Sequence, residues 1–393
     1  MTAWVGFFLA MVALLFVSQK NLGIAMILGA LILGASTIPQ NLAMLFSSTI
    51  TAPSTVLLAA VVALIPVIGA SLKASGQLDN LVSNMRIGKI PFLMLSPAIV
   101  GLLPMPGGAL LSAPLVEKAG RDIPNEKKAG INVWFRHVLY LVYPLSPDLI
   151  ISAQAAQLDT YQTVPYLVPA LVLSLALGYL FFLRAAHEGI DYSGRFSAKK
   201  LFVPLAVLLV APTIDILVEA LFAPPVEEAS TLIGVSASLV MALFIGRMQL
   251  GNFGRIVRQA RPWNFAVTMV GILFFLNVFK SSGILQLIGS LSITPEFLLA
   301  TAFLLGFGTG RIITPAGIVF PIFLTKFSAI PLPAFAILYF GIFLGYVVTP
   351  VHPCVSLSVE SFKTGMKDYF KAVTPLTLIA LAVSFMLLYT MNL

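Results

Sequence analysis

Long apolar blocks alternate along this chain with short polar stretches. About twenty apolar residues in helical form cross a bilayer core of about 30 Å. Ten blocks meet or approach that length: 3–18, 21–36, 54–72, 130–152, 163–184, 199–222, 229–247, 263–280, 331–352 and 371–391. Runs such as 55–71 and 376–391 lack the period-two alternation of an outer-membrane strand. In lipid, backbone polar groups must be satisfied within a helix or a closed barrel. The pattern predicts an all-α polytopic membrane protein with ten crossings. The first run has no basic stretch before it and reads as a span, not a cleavable signal.

Composition agrees. Hydrophobic residues make up 59% of the 393 and charged residues 10%, against about 25% charged in a soluble domain. The net charge of +8 does not point to nucleic acid, because the cations sit between the apolar blocks. With the N-terminus outside, 19 of the 23 lysines and arginines fall in inside regions, as the positive-inside bias requires. Lys280, Arg311 and Lys326 fall outside, and Arg136 lies within a span, near its cytoplasmic end, where arginine snorkels to the interface. The split predicts both termini outside. It holds only if two further apolar segments, about 90–118 and 295–327, enter and leave on one side. Proline and glycine interrupt each in the middle, so both read as re-entrant hairpins.

An internal repeat runs beneath this layout. Lys73-Ala74-Ser75-Gly76 recurs as Lys280-Ser281-Ser282-Gly283, and Tyr143-Pro144-Leu145-Ser146-Pro147 as Thr349-Pro350-Val351-His352-Pro353. Tyr140 matches Tyr346, Ser152 matches Ser358, and Gly101 and Pro106 are matched to Gly310 and Pro315, 209 residues on. Each half, 1–190 and 195–393, holds three spans, a hairpin, a Pro-x-x-Pro broken span (130–152 or 331–352) and a last span. Five crossings is odd, so the second half inserts upside down. Inverted repeats with broken helices at the midplane are a recurrent plan of secondary transporters.

Proline within a helix removes a donor and costs about 3 kcal/mol. In hydrocarbon such a break is tolerated only against protein or a wet cavity. The first hairpin tip, Leu103-Pro104-Met105-Pro106-Gly107-Gly108, restarts a helix whose amides would aim at the membrane centre. At the second tip, Thr314 before Pro315 reads as an N-cap with proline at the first helical position. The predicted substrate site gathers Met105, Pro106, Gly107, Gly108, Ser146, Arg311, Thr314, Gly317, Thr349 and His352. Arg311 suits a carboxylate or oxyanion. Asp148 suits a coupling proton or cation, with a sodium ion near it as the one inorganic partner considered. A structural Asp148–Arg311 pair is the alternative for both, and a merely hydrogen-bonded imidazole the alternative for His352. Gly306-Phe307-Gly308-Thr309-Gly310 reads as close helix packing.

The single cysteine, Cys354, excludes an internal disulfide and a multi-thiolate metal site. No H-E-x-x-H, G-x-S-x-G or Walker motif occurs. The expectation is a gradient-driven carrier of a small anion, not an enzyme, with no organic cofactor. A cation/proton antiporter using Asp148 and a non-transporting membrane protein are the rival readings.

The layout resembles the ion transporter superfamily of gluconate permeases, divalent-anion:sodium symporters, citrate transporters and arsenite permeases. The string Gly101-Leu102-Leu103-Pro104-Met105-Pro106-Gly107-Gly108-Ala109, with Ser112 to Pro114 after it, is similar to an uncharacterised prokaryotic family within it. The resemblance implies an elevator-type homodimer in a prokaryotic inner membrane, with outer spans as scaffold and sodium or proton coupling. Neither hairpin tip carries the Ser-Asn-Thr triplet of the dicarboxylate symporters.

Overall fold

A computed structural model describes residues 2–18, 20–102, 108–186, 189, 195–226, 228–248, 250–284, 287 and 291–391. Among the described residues, helix accounts for 82% and no strand forms. In the first half the helices are α1 (Thr2–Ser18), α2 (Leu22–Thr37), α3 (Leu42–Thr51), α4 (Pro53–Ala74), α5 (Gln77–Ser83), α6 (Lys89–Gly101), α7 (Gly108–Ala119), α8 (Asn125–Val138), α9 (Pro147–Ala155) and α10 (Thr160–Gly178). In the second they are α11 (Ala198–Phe222), α12 (Glu228–Ile245), α13 (Leu250–Ala260), α14 (Pro262–Ser281), α15 (Pro295–Thr309), α16 (Ile313–Phe327), α17 (Leu332–Val348), α18 (Pro353–Ser361) and α19 (Met366–Thr390).

Among the described residues, six helices are long and apolar enough to cross a membrane, against the ten crossings expected: α4, α10 with its π-turn to Leu183, α11, α12, α14 and α19. The α17–α18 pair, bent by 40°, makes a seventh if it is one broken span, while α1 and α2 are apolar but shorter. Apolar side chains face outward on these helices, among them Leu221, Phe222, Phe244 and Met386, all at least 70% exposed. On helices of this length and apolarity, such exposed surface fits contact with lipid. The chain is an integral membrane protein.

The apolar blocks read from sequence all become helix. Two limits move. The first broken element starts at Asn125, because polar Asn125–Lys128 forms its first turn. The second runs on to Ser361, because α18 is too polar to be read as part of an apolar span. Three helices between the blocks, α3, α5 and α13, are additional. On α13, Ile256 and Ala260 pack on Val67 of α4 while Arg255 and Arg258 face away.

Each interrupted segment folds into two short helices that pack on each other, α6 with α7 and α15 with α16. At 1.5 Å per residue, α6 and α15 (13 and 15 residues) reach about 20 and 22 Å. Lysines close both hairpins at their feet. Lys89, which opens α6, pairs with Asp122 just past α7. Lys326 near the end of α16 donates to the Leu291 carbonyl before α15, at 2.6 Å. Lys128 of α8 adds a bond to Glu117 of α7 at 2.9 Å.

The halves correspond in detail. Both α9 and α18 open on a proline, Pro147 and Pro353, behind an extended residue, Ser146 (ψ 124°) and His352 (ψ 120°). Both end before a residue in the left-handed region, Gln157 (φ 57°) and Lys363 (φ 50°). The constant offset is 206. In the hairpins the match from sequence needs correcting. A Cβ on Gly101 would overlap the Arg136 carbonyl oxygen, and one on Gly306 the Ile342 carbonyl oxygen. These equivalent crossings are 205 and 206 residues apart, so Gly101 pairs with Gly306, not Gly310. The close-packing reading of the glycine string holds for Gly306, whereas Gly308 faces open space.

Helix contacts divide the molecule into two packing groups. One contains α1–α5 and α11–α14, where α14 lies on α2 and α4, α12 on α4 and α11, and α5 on α11. The other contains α6–α10 and α15–α19, where α17 lies on α15, α10 and α19. Only limited contacts join them, mainly α14 against α9 and α16.

Gly306→Val drives a side chain into the α17 backbone and should abolish a monodisperse peak in detergent. Gly308→Ala should leave Tm within about 2 °C, since surface helix changes stay near 0.5 kcal/mol. Equal behaviour of the two variants would contradict this packing.

Candidate functional site

Both broken elements stop where their sequences cannot continue a helix. After α8 the chain makes a 3₁₀ turn, Leu139–Leu141, and Pro144 and Pro147 remove two further donors. After α17, Pro350 and Pro353 do the same, and the Val351 amide bonds instead to Thr349 Oγ1 at 3.2 Å. Free carbonyls remain at both breaks, and neighbouring tyrosines meet them. Tyr339 of α17 donates to the Tyr140 carbonyl at 3.2 Å, and Tyr369 of α19 to the Val347 carbonyl at 2.8 Å. The chain thus stabilises its breaks from inside the second packing group.

The second helix of each hairpin packs on the broken element of the other half. Helix α7 packs on α18, and α16 on α9. Gly310 closes α15 with φ 60°, and a Cβ there would press on the His352 amide at 2.9 Å. Arg311 and Asp148 lie close enough for their charges to act on one another. Helix α16 begins at Ile313 behind Ile312, so Thr314 lies in its first turn and is not the cap. The Pro315 position costs nothing there, because first-turn amides have no helical partner. Thr314 is fully buried.

Sequence reasoning missed the most buried polar cluster. Arg136 and His137 are 2% and 1% exposed, not at the interface. A Cβ on Gly108 would overlap the Arg136 guanidinium, whose Nη1 reaches Ser112 Oγ at 3.4 Å and whose charge acts on Cys354. Asn132 ties three elements together, donating to Ser358 Oγ of α18 at 2.8 Å and to the Ala109 carbonyl of α7 at 3.1 Å. His137 lies against Tyr140, Tyr346 and His352, with ring centroids 5.3, 5.1 and 4.8 Å away. The signal was available: Asn132, Arg136 and His137 lie within about one and a half turns of the helix before the break, with Tyr140 one turn further on.

The structure brings Gly108, Arg311, Asp148 and His352 to the two breaks, with Ser146, Thr314 and Thr349 beside them. Gly317 instead faces Met26 of α2 at 2.7 Å from its Cβ direction, a packing position. Met105, Pro106 and Gly107 lie outside the described residues. Four buried side-chain atoms near the breaks have no protein partner among the described residues: Asn132 Oδ1, Arg136 Nε, Ser146 Oγ and Thr314 Oγ1. A buried polar group without a partner costs about 1–3 kcal/mol.

A cavity of about 860 Å³ lies on the seam between the packing groups. Leu58 of α4, Asp215 and Glu219 of α11, Glu228, and Leu276 and Lys280 of α14 line one wall, and Ile150, Gln154 and Tyr161 the other. Its floor is Pro144 and Leu145, next to Ser146 in the first break. None of the site residues predicted from sequence lines it. Two tyrosines bridge the seam: Tyr161 to the buried Asp215 carboxylate at 2.5 Å, and Tyr143 to the Leu208 carbonyl at 3.1 Å.

A family model described as "Protein of unknown function (DUF401)" matches residues 2–391, and the chain belongs to that family. No curated protein matches it.

Tyr339→Phe and Tyr369→Phe each strand a carbonyl at a break and should cost about 1–3 kcal/mol, read as a lower Tm in detergent. Tyr166→Phe, at a side chain 44% exposed, is the control and should not move it.

Proposed function

We propose that this chain is a secondary active transporter that moves a small organic anion by an elevator-type motion coupled to a sodium or proton gradient. The reading rests on the two broken elements, each packed against the second hairpin helix of the opposite half. Two lysine-closed hairpins too short to cross a 30 Å core, with helix offsets constant near 206, support an inverted repeat of two units. In that arrangement the feet of the first hairpin face the cytoplasm and those of the second face outside, as the loop charges require.

The cargo reading follows from the charges at the breaks. Arg136 and Arg311 are two guanidinium groups within the second packing group, Arg136 beside the N-terminal end of α7. Guanidinium forks and helix N-termini both favour carboxylate and oxyanion groups. Ser146 and Thr314 add buried hydroxyls. Asp148 is the acid placed to take the coupling ion. The first packing group is the proposed scaffold, the second the moving body, and few contacts on the seam need to change as one slides past the other. Homodimer formation through the scaffold is part of the proposal.

One observation favours a second reading. Asp159, Asp215, Glu219 and Glu228 line the seam cavity against the single cation Lys280. Such a wall attracts cations, as a cation/proton antiporter would need. It also suits the entry route of a coupling cation, so the two readings part on the role of the arginines.

The test is a thermal-shift screen of purified protein against organic anions, with and without sodium, followed by uptake into liposomes. An anion at about 100 times its Kd adds about 2.7 kcal/mol of stability. Arg311→Gln should abolish both the shift and uptake. Intact proton-driven cation exchange in Arg311→Gln, with no anion stabilising the unmodified protein, would overturn the anion reading in favour of the antiporter.

A further inference from the structure

His137 of α8, and His352 and Cys354 at the start of α18, converge although they come from opposite halves of the chain. One nitrogen of each imidazole and the Cys354 sulfur all lie within 4.8 Å of one another. Both histidines are buried, and the cysteine is partly so.

The rings are also held. His137 Nδ1 is 2.7 Å from the Val133 carbonyl oxygen, and His352 Nδ1 is 3.2 Å from that of Tyr346. A carbonyl accepts, so each Nδ1 carries the proton and each Nε2 keeps its electron pair. Metal-ligating histidines show this pattern: the second nitrogen donates to a carbonyl, which fixes tautomer and orientation. Packing fixes the planes as well. His352 stacks on Tyr346 with centroids 4.0 Å apart, and His137 meets Tyr346 and Tyr140 edge-on. A merely structural histidine needs one such restraint. Two histidines and a thiol restrained toward one point form a donor set.

We propose that His137, His352 and Cys354 form a binding site for a soft monovalent d¹⁰ metal ion, cuprous copper by chemical class. Thiolate and imidazole donors select soft ions. Charge selects among them. On binding, the thiol loses its proton, so a monovalent ion and one thiolate sum to zero. A zinc ion would leave a positive site near Arg136, whose charge already acts on Cys354. Burying uncompensated charge is costly. Three donors also suit the trigonal geometry of cuprous copper, whereas structural zinc usually takes four. Bonds of about 2.0 Å to nitrogen and 2.3 Å to sulfur require the three atoms to close in by about 1 Å, a side-chain adjustment.

Cys354 is the one cysteine in the chain, so thiol chemistry reports on this site alone. The experiment uses the full-length protein in detergent, with cuprous copper held by a competing chelator and silver(I) as a redox-inert substitute. The expected result is one ion per chain, with a first shell of one sulfur and two nitrogens by X-ray absorption. Silver(I) should protect Cys354 from maleimide labelling in the unmodified protein. Cys354→Ser and His352→Gln should each weaken copper binding at least 100-fold, and His137→Gln at least 10-fold. The labelling readout needs no variant and stands if one fails to fold. Labelling unchanged by silver(I), or a first shell without sulfur, would overturn the proposal. Loss of binding in Cys354→Ser with full retention in both histidine variants would reduce it to a lone reactive thiol and overturn it as well.

Discussion

In lipid, a peptide group that leaves the helical ladder must find a partner in protein, and this fold is built around that demand. Four prolines open the chain at two related places, and side chains from neighbouring helices meet the freed carbonyls. Tyr339 and Tyr369 do so directly. Asn132 pins α8 to α7 and α18 in the same region. Each break therefore needs the hairpins and the flanking helices around it, which explains why α6–α10 and α15–α19 pack as one group although they come from opposite ends of the chain.

The remaining helices have a different task. They carry exposed apolar side chains and are joined to the second group by few contacts and two tyrosine bonds. The cavity lies between the groups, and its acidic lining contrasts with the arginines at the breaks. A carrier whose cargo is negative and whose coupling ion is positive calls for both signs. The proposed soft-metal site lies inside the second group, so occupying it adds a restraint within that body and leaves the seam free.

Helix positions were legible because apolar length is written locally. The ten blocks and the two interrupted segments fall on helices with two limits moved, although only six helices, or seven with the bent pair, are long and apolar enough to cross. What was not legible depended on partners. Asn125–Lys128 looks like a loop but is the first turn of α8, since its polar residues sit at the foot of the first hairpin, where Lys128 finds Glu117. Arg136 looked like a snorkelling residue because sequence gives depth only by counting from loops. It is buried because Gly108 and Gly101 leave room for it. Gly317 looked like part of a tip, but which way a helix face turns is decided by Met26, nearly 300 residues away. The hairpin match slipped because Gly310 resembles Gly101 in its string, while Gly306 resembles it in what it packs against.

The central claim is that the two hairpins enter from opposite faces, so that the halves are inverted and each hairpin packs against the break of the other half. Asn125 and Ala329 are exposed residues at the feet of the first and second hairpins. In a Cys354→Ser background, Asn125→Cys and Ala329→Cys can be labelled in sealed, oriented vesicles with a membrane-impermeant maleimide. The account predicts labelling of Cys-substituted position 329 from outside and of position 125 only after the inner face is opened. Labelling of both from the same side would contradict it.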